Sequence, residues 1–201
     1  MFRMLKTLFR TRGQAPYAIG EPLSIEQHSL QSWQWMLIQS QLQQRDPKNT
    51  LFVPSSALWL AALTHDVGHM LAPKDINPLD DGAVDDQHEE IGAAWLKHQG
   101  LHPAVYEPVR LHVEAKRYMV ALVDDYYDGL TAASRASLKL QGGAMTTAQM
   151  AVFEGQPWWR EALLLRHADD AAKNAKHAPL VFETMVGGEK KFNRFVNQFI
   201  L

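Results

Sequence analysis

The adjacent residues His65 and Asp66 close a mostly apolar stretch, residues 57–64. A neutral imidazole offers one metal-binding nitrogen, and a carboxylate can bridge two cations through its two oxygens. Hydrophobic residues around such a pair limit the access of water, which suits a metal centre. A His-Asp dipeptide is common, however, so its meaning depends on whether further ligands lie elsewhere in the chain.

Further metal-binding side chains occupy helical segments on both sides of this pair. They are His28, His88, His112 and Asp169. Taken singly, each histidine is more often a structural or surface residue than a ligand. With His65 and Asp66 they give the order His, His-Asp, His, His, Asp, which chance rarely produces along one helical chain. The set can serve two metal ions a few ångströms apart if Asp66 bridges them.

The composition narrows the classes of protein and of metal site. Charged residues make up 21% of the 201 residues, hydrophobic ones 46%, and the formal net charge is -2. This profile is typical of a soluble globular protein, and we expect no nucleic-acid partner. The chain has no cysteine, which excludes a disulfide framework and a thiolate site. Nitrogen and oxygen ligands suit iron, manganese, magnesium or zinc.

The N-terminal arm, residues 1–16, combines basic side chains with Phe2, Leu5 and Phe9 at helical spacing. One interpretation is a surface-binding or targeting segment. The interpretation we favour is an amphipathic arm that packs on its own domain or frays. No later stretch reaches transmembrane length, so we expect no membrane partner. The absence of cysteine leads us to expect a cytoplasmic location.

The rest of the sequence shows helical patterns separated by short Pro, Gly and Asp punctuation, which predicts an all-α bundle with the metal site in its core. The predicted helices cover residues 23–44, 55–71, 86–100, 104–123, 132–140, 147–154 and 157–176. No repeat or long linker divides the chain, so we expect one domain over residues 1–201. It ends in a docking segment, residues 177–201, in which a helix over 191–201 carries a stripe of Phe192, Phe195, Val196 and Phe199.

Several stretches together resemble a known family. They are Gly20-Glu21-Pro22 with His28-Ser29-Leu30-Gln31, residues 63–69, residues 88–93, HVEAKRY at 112–118, QGGAMT at 141–146, and residues 169–173. The His-Asp signature resembles the HD-domain superfamily. The HVEAKRY and QGGAMT segments make a narrower match to the PhnZ-type mixed-valent diiron oxygenases of organophosphonate breakdown, which are distantly similar to myo-inositol oxygenase.

The resemblance implies two iron ions, Fe(II) and Fe(III), with dioxygen as co-substrate. It assigns His28, His65, Asp66 and Asp169 to one iron. It assigns Asp66, His88 and His112 to the other, with Asp66 shared. Asp170 is adjacent to Asp169, but the following Ala-Ala-Lys register favours Asp169.

Two residues near the candidate ligands in sequence, Lys116 and His69, are candidates for binding the substrate. Lys116 follows His112 by four residues and His69 follows His65 by four, so each shares a helix face with a candidate ligand. An ammonium suits a phosphonate oxygen, and an imidazole can donate to it. Lys116 could instead be an ordinary solvated lysine. By resemblance, Asp66, His69 and Lys116 act at the reacting centre.

The resemblance also implies that Ser134, Ser137 and Gln141 complete an oxyanion cradle and that Glu21 contacts an amine. Helix-surface hydroxyls, a helix-end amide and a helix-start carboxylate are the alternatives. The family's iron-capping tyrosine is expected three residues before this glutamate. That position is Ala18, and the tyrosine is Tyr17.

The remaining histidines, acidic residues and tryptophans are not expected to form a metal or binding site. We expect no metal ligation by His98, His102, His167 and His177. The acidic residues of the predicted loop lack the spacing of a calcium loop and are expected to be solvated. They are Asp75, Asp80, Asp81, Asp85 and Asp86. Trp158 and Trp159 are expected to pack in the core or a lid.

The resemblance implies that the chain is an oxygen-dependent enzyme. Such an enzyme would cleave the C–P bond of a small 1-hydroxyphosphonate, with or without an amino substituent, and release phosphate. The alternative is an HD-type phosphohydrolase acting on a phosphomonoester or nucleotide, because a dinuclear site also activates water. A non-catalytic binding module is a third reading, which the complete ligand set disfavours. We expect a monomer or homodimer.

Overall fold

The computed structural model describes residues 1–17, 23–45, 54–71 and 85–201, with side chains to residue 42 in the second range. Its helices are α1 (Phe2–Thr11), α2 (Ile25–Arg45), α3 (Ser56–Thr64), α4 (Val67–Leu71), α5 (His88–His98), α6 (Pro103–Leu122), α7 (Tyr126–Gly129), α8 (Ala132–Leu140), α9 (Thr147–Glu154), α10 (Trp159–Ala171), α11 (Phe182–Met185) and α12 (Gly188–Val196), followed by a 3-10 turn, Asn197–Phe199. The described residues form two isolated β-bridges and no strand. The predicted all-α class is confirmed.

Helix α6 is the axis around which the site-bearing helices pack. It contacts α3, α5 and α10, while α2 contacts α3 and α10. Helix α3 is apolar on nearly every face, as its sequence SALWLAALT requires for a helix surrounded by others. Its leucines Leu58, Leu60 and Leu63 are fully buried. The helices that carry the candidate ligands are therefore fixed by the main hydrophobic core.

The predicted helix 55–71 is wrong in one respect, because the chain breaks it at His65 and Asp66 into α3 and α4. The Thr64 hydroxyl donates to the Leu60 carbonyl over 2.7 Å, and His65 Nδ1 contacts the Ala62 carbonyl at 2.9 Å. These side chains engage carbonyls of the last turn of α3, and such contacts favour bending or ending a helix. The His-Asp pair therefore lies at a corner.

Smaller differences concern the helix ends. Helix α5 begins at His88 because Gln87 is left-handed, with φ 50°, and α10 begins after Trp158, with φ 71°. The short α7 was not predicted, and the predicted helix 191–201 is α12 plus a 3-10 turn. Of the predicted loop at residues 75–86, residues 75–84 lie outside the described residues.

The N-terminal helix packs through its apolar face. Phe2 and Phe9 lie 5.2 and 5.3 Å, ring centre to ring centre, from Phe182. On the outer side Arg3 pairs with Glu189 at 2.8 Å and Lys6 with Glu183 at 2.7 Å. This favours the packing interpretation over a surface-binding one. The assignment of residues 1–201 to one domain stays a prediction. No described helix is both long and apolar enough to span a bilayer.

The segment after α10 is held against α2 by two glutamines. Gln27 Nε2 donates to the Leu180 carbonyl, and the Leu180 amide donates back to Gln27 Oε1, each over 2.8 Å. Gln31 makes the same reciprocal pair with the Asn174 backbone, at 3.0 and 3.1 Å. Residues 172–180 are thereby fixed along the helix that carries His28.

Candidate metal centre

The first group of candidate ligands joins three parts of the fold. His28 comes from α2, His65 from the corner after α3, and Asp169 from α10. His28 Nε2 lies 3.1 Å from His65 Nε2 and 3.2 Å from Asp169 Oδ1. Asp66 Oδ2 lies 3.3 Å from both imidazole nitrogens. All four side chains are buried.

The second group lies on the other side of the Asp66 carboxylate. His88 opens α5 and His112 lies within α6, with their Nε2 atoms 3.2 Å apart. Asp66 Oδ1 lies 3.7 Å from His88 Nε2 and 3.8 Å from His112 Nε2. One oxygen of Asp66 thus faces each group, which is the placement a bridging carboxylate requires.

The second nitrogen of each imidazole contacts an acceptor. His28 Nδ1 lies 3.0 Å from the Ala172 carbonyl and His112 Nδ1 lies 2.6 Å from the Val109 carbonyl. His65 Nδ1 contacts the Ala62 carbonyl and His88 Nδ1 contacts Asp86 Oδ1, each at 2.9 Å. Carbonyls and carboxylates only accept, so each Nδ1 carries the proton and each Nε2 lone pair points into the site.

This arrangement fits metal ions. Two neutral Nε2 lone pairs at about 3 Å repel one another, and a proton or a metal ion between them removes this repulsion. Among the described side chains, Asp66 Oδ2 is a buried oxygen without a hydrogen-bond partner. Burial lowers the pKa of His28, yet the Asp169 and Asp66 carboxylates raise it to about 9. The site therefore attracts positive charge, and hard nitrogen and oxygen donors suit iron among other metals.

Tyr17 lies directly against the first group. Its ring stacks on His28 at 3.8 Å, and its hydroxyl donates to Asp169 Oδ1 over 3.4 Å. Burial and the charges of Asp169 and Asp66 raise the pKa of Tyr17 well above its usual value, so the phenol stays protonated. Tyr17 thus contacts the candidate ligands although the expected capping position is Ala18, which lies outside the described residues.

Lys116 is buried, so its interpretation as a solvated lysine is wrong. Its side chain is 3% exposed and its ammonium donates to Ser137 Oγ over 2.9 Å. Ser137 in turn donates to the Ser134 carbonyl over 3.1 Å. Gln141 Oε1 is buried without a hydrogen-bond partner among the described side chains. Lys116, Ser137 and Ser134 are thus linked by hydrogen bonds, while Glu21 lies outside the described residues.

Comparisons with known proteins show the family of this chain. No family model matches the chain. It is 47% identical over 113 residues to hydroxymethylphosphonate dioxygenase of Gimesia maris, covering 56% of each chain. It is 34% identical over 168 residues to the glycine-betaine-forming 1-hydroxy-2-(trimethylamino)ethylphosphonate dioxygenase of Leisingera caerulea, covering 84% of this chain and 78% of that protein. The chain belongs to the phosphonate dioxygenase family.

A third similar protein has no named activity. It is an uncharacterized protein of Acanthamoeba polyphaga mimivirus, 33% identical over 115 residues, or 57% of this chain and 52% of that protein. The matched region thus spans about half the length of the Gimesia and mimivirus proteins.

Two cations that were not predicted as site residues lie beside Asp169. Arg166 Nη1 lies 2.5 Å from Asp169 Oδ2, and Lys173 Nζ lies 3.3 Å from Asp169 Oδ1. Lys173 also donates to Ser134 Oγ over 3.1 Å. The spacings i, i+3 and i, i+4 around Asp169 could have revealed them, because such residues share a helix face. Asp170 instead contacts Arg166 and Tyr126, so Asp169 is the carboxylate that faces His28.

Asp86 was also missed, and its interpretation as a solvated residue is wrong. It is half-buried and contacts His69 Nδ1 at 2.7 Å and His88 Nδ1 at 2.9 Å. The sequence offered only its position two residues before His88. Asp75, Asp80 and Asp81 lie outside the described residues.

The remaining polar and aromatic features lie apart from the two ligand groups. His98, His102, His167 and His177 belong to none of the metal-binding groups found among the described residues. His102 instead accepts from the Ala104 amide over 3.1 Å as the N-cap of α6. Trp158 and Trp159 pack on the cluster around Leu111 and Phe153.

Proposed function

We propose that this chain is an oxygen-dependent diiron enzyme of the HD-domain superfamily that cleaves the C–P bond of a small 1-hydroxyphosphonate and releases phosphate. The observation that carries the proposal is the Asp66 carboxylate placed between two pairs of converging Nε2 atoms. Its support from the comparisons is that two relatives are named as dioxygenases of hydroxyphosphonates.

In this proposal His28, His65, Asp66 and Asp169 hold one iron, and Asp66, His88 and His112 hold the other. When bound, a mixed-valent Fe(II)/Fe(III) pair supplies the redox chemistry with dioxygen. The chain fixes the tautomer of each imidazole through its Nδ1 contact. Residues of α3 such as Leu60 and Leu63 exclude water from this side of the site.

The phosphonate is bound, in the same proposal, by Lys116, His69, Ser134, Ser137 and Gln141. Lys116 neutralises part of the dianion, and the Gln141 side-chain nitrogen donates to one of its oxygens. Arg166 and Lys173 hold Asp169 and keep this end of the site positive. Glu21 is proposed to contact an amino substituent where the substrate has one.

Hydroxymethylphosphonate is the first substrate to test, because the relative of that name has 47% identity over the matched residues. Oxidative cleavage with one dioxygen gives one phosphate and one formate, which balances all atoms. We expect oxygen uptake, phosphate and formate in equal amounts, and a mixed-valent EPR signal that the phosphonate perturbs. Anaerobic phosphate release from phosphomonoesters, with no oxygen uptake on any hydroxyphosphonate, would contradict the proposal and support the phosphohydrolase.

Lys116→Met is expected to weaken phosphonate binding by roughly 10- to 100-fold, because hydrogen bonds to charged groups contribute about 1.5–3 kcal/mol. Methionine keeps the volume of the buried chain while removing the charge. Iron content should stay at the wild-type level, since Lys116 contacts Ser137 and no candidate ligand. The measurements are the phosphonate Kd and iron analysis. An equal loss of iron in this variant would refute the assignment.

Phosphonate affinity is expected to fall as the pH rises through neutrality. Burial and the charge of Arg166 lower the pKa of Lys116 to about 7; Lys173 acts the same way and the carboxylates of Asp169 and Asp170 oppose it. Below this pKa the Lys116 side chain is an ammonium and can pair with the phosphonate dianion. Above it, Lys116 must take up a proton when the dianion binds, so the Kd rises by up to about tenfold per pH unit. Titrations of wild type and Lys116→Met between pH 6 and 9 separate this effect from titration of the phosphonate itself. If the plots of log Kd against pH have the same slope for wild type and Lys116→Met, titration of Lys116 does not control the affinity.

A further inference from the structure

Two imidazoles with different proposed partners share one carboxylate. The rings of His69 and His88 stack at 4.0 Å with an interplanar angle of 17°. Asp86 Oδ2 lies 2.7 Å from His69 Nδ1, and Asp86 Oδ1 lies 2.9 Å from His88 Nδ1. His88 belongs to the second ligand group, while His69 is the proposed phosphonate donor.

The chemistry of this trio fixes both rings. Each oxygen of the Asp86 carboxylate contacts one Nδ1 atom, and a carboxylate oxygen accepts from an imidazole N–H. Each Nδ1 must therefore donate to it. The same contact turns the His88 Nε2 lone pair towards His112, 3.2 Å away. It leaves Nε2 of His69 for the phosphonate, to which this nitrogen donates when the ring carries a proton on both nitrogens.

The approach of α4 to α5 makes this arrangement rigid. A Cβ atom on Gly68 would lie 1.9 Å from the His88 carbonyl oxygen, so the neighbouring His69 is carried on a turn that touches the start of α5. The backbone amide of His88 also lies 3.4 Å from Asp86 Oδ1. Neither ring can turn without breaking a contact to the same carboxylate.

We propose that Asp86 is a positioning residue that links the second metal site to the phosphonate site by orienting His88 and His69 at once. The phosphonate half of this inference rests on the function proposed above. The claim that Asp86 supports the second metal site rests only on the contacts of His88. Replacement of such outer partners of ligands typically costs about 10- to 100-fold in metal affinity or activity.

Asp86→Asn is the informative variant. Its side-chain amide has one accepting oxygen, so it satisfies only one of the two Nδ1–H groups. On anaerobic titration of the metal-free protein with Fe(II), we expect the first iron at wild-type affinity and the second weakened by roughly 10- to 100-fold. The Kd of hydroxymethylphosphonate, measured on protein saturated with iron, should rise as well.

Three further variants complete the design. Asp85→Asn removes the adjacent carboxylate and should leave both readouts unchanged. His69→Ala should weaken phosphonate binding with both irons retained, and Asp86→Glu, which keeps two accepting oxygens, should recover part of the second-site affinity. Retention of the first iron in Asp86→Asn shows that this variant folds.

The inference is overturned if Asp86→Asn binds two irons and the phosphonate as wild type does. It is also overturned if Asp85→Asn has the same losses, because the effect would then be one of general charge. Should wild-type protein oxidise no hydroxyphosphonate, the proposed function fails, while the iron titration still decides the role of Asp86 at His88.

Discussion

Asp66→Ala is expected to remove both metal ions from the protein and to abolish oxygen consumption. Its two carboxylate oxygens face different imidazole pairs, 3.3 Å from His28 and His65 and 3.7 to 3.8 Å from His88 and His112. Loss of an outer partner of a ligand costs about 10- to 100-fold, so loss of a shared ligand should exceed 100-fold at each site. Iron analysis after desalting and oxygen-electrode rates are the measurements.

The control for this variant is Asp124→Ala, which removes an exposed carboxylate after α6 and should leave iron content and rate unchanged. Circular dichroism should show that Asp66→Ala keeps its helices, because the core leucines of α3 are untouched. One iron bound at wild-type affinity in Asp66→Ala would show that the carboxylate serves a single site. The bridging assignment would then be wrong.

Gly68→Ala is expected to destabilise the fold and to impair the second metal site in particular. The added Cβ would lie 1.9, 2.6 and 2.8 Å from the carbonyl oxygen, carbonyl carbon and Cα of His88. These are backbone atoms, so α4 and α5 must separate. Overpacking costs about 1–3 kcal/mol, and at the upper end the melting temperature should fall by about 6–12 °C.

Two matched glycine variants calibrate this result. Gly129→Ala meets no atom within 4 Å and should melt within a few degrees of wild type. Gly92→Ala meets a Val67 methyl at 3.2 Å and the Gly68 backbone nitrogen at 3.3 Å. Both contacts are much longer than the 1.9 Å contact of Gly68→Ala, so the loss should be smaller. Thermal melts of the three variants and iron titration of Gly68→Ala are the measurements. A melting temperature for Gly68→Ala equal to that of Gly129→Ala would mean that α4 can shift freely.

The helices and the order of the candidate ligands could be read from the sequence because both follow local rules. The nearly continuous apolar run at residues 57–64 is typical of a helix that is buried on most faces, as α3 is. The residues that begin and end helices are also visible in the sequence. The spacing of four residues from His112 to Lys116 correctly placed both on the inner side of α6, where both are buried. The sequence could identify Asp169 rather than Asp170 as the candidate ligand only through the family resemblance. In the structure, Asp169 contacts His28 and Asp170 contacts Arg166.

What could not be predicted depends on contacts between distant segments. The corner at His65 and Asp66 arises from side chains that compete for carbonyls and from the close approach of α4 to α5. Asp86 looks like any acidic loop residue until His69 and His88 are stacked beside it. No local pattern reports such a juxtaposition.

The glutamine pairs along α2 have a thermodynamic consequence. Gln27 and Gln31 fix residues 174–180, and the Ala172 carbonyl just before them orients His28. Any ion that binds His28 therefore favours the closed state of this C-terminal stretch, by linkage. Local opening of the stretch would in turn release the ion more readily than global unfolding requires. We therefore expect metal removal to speed the hydrogen exchange of these backbone amides.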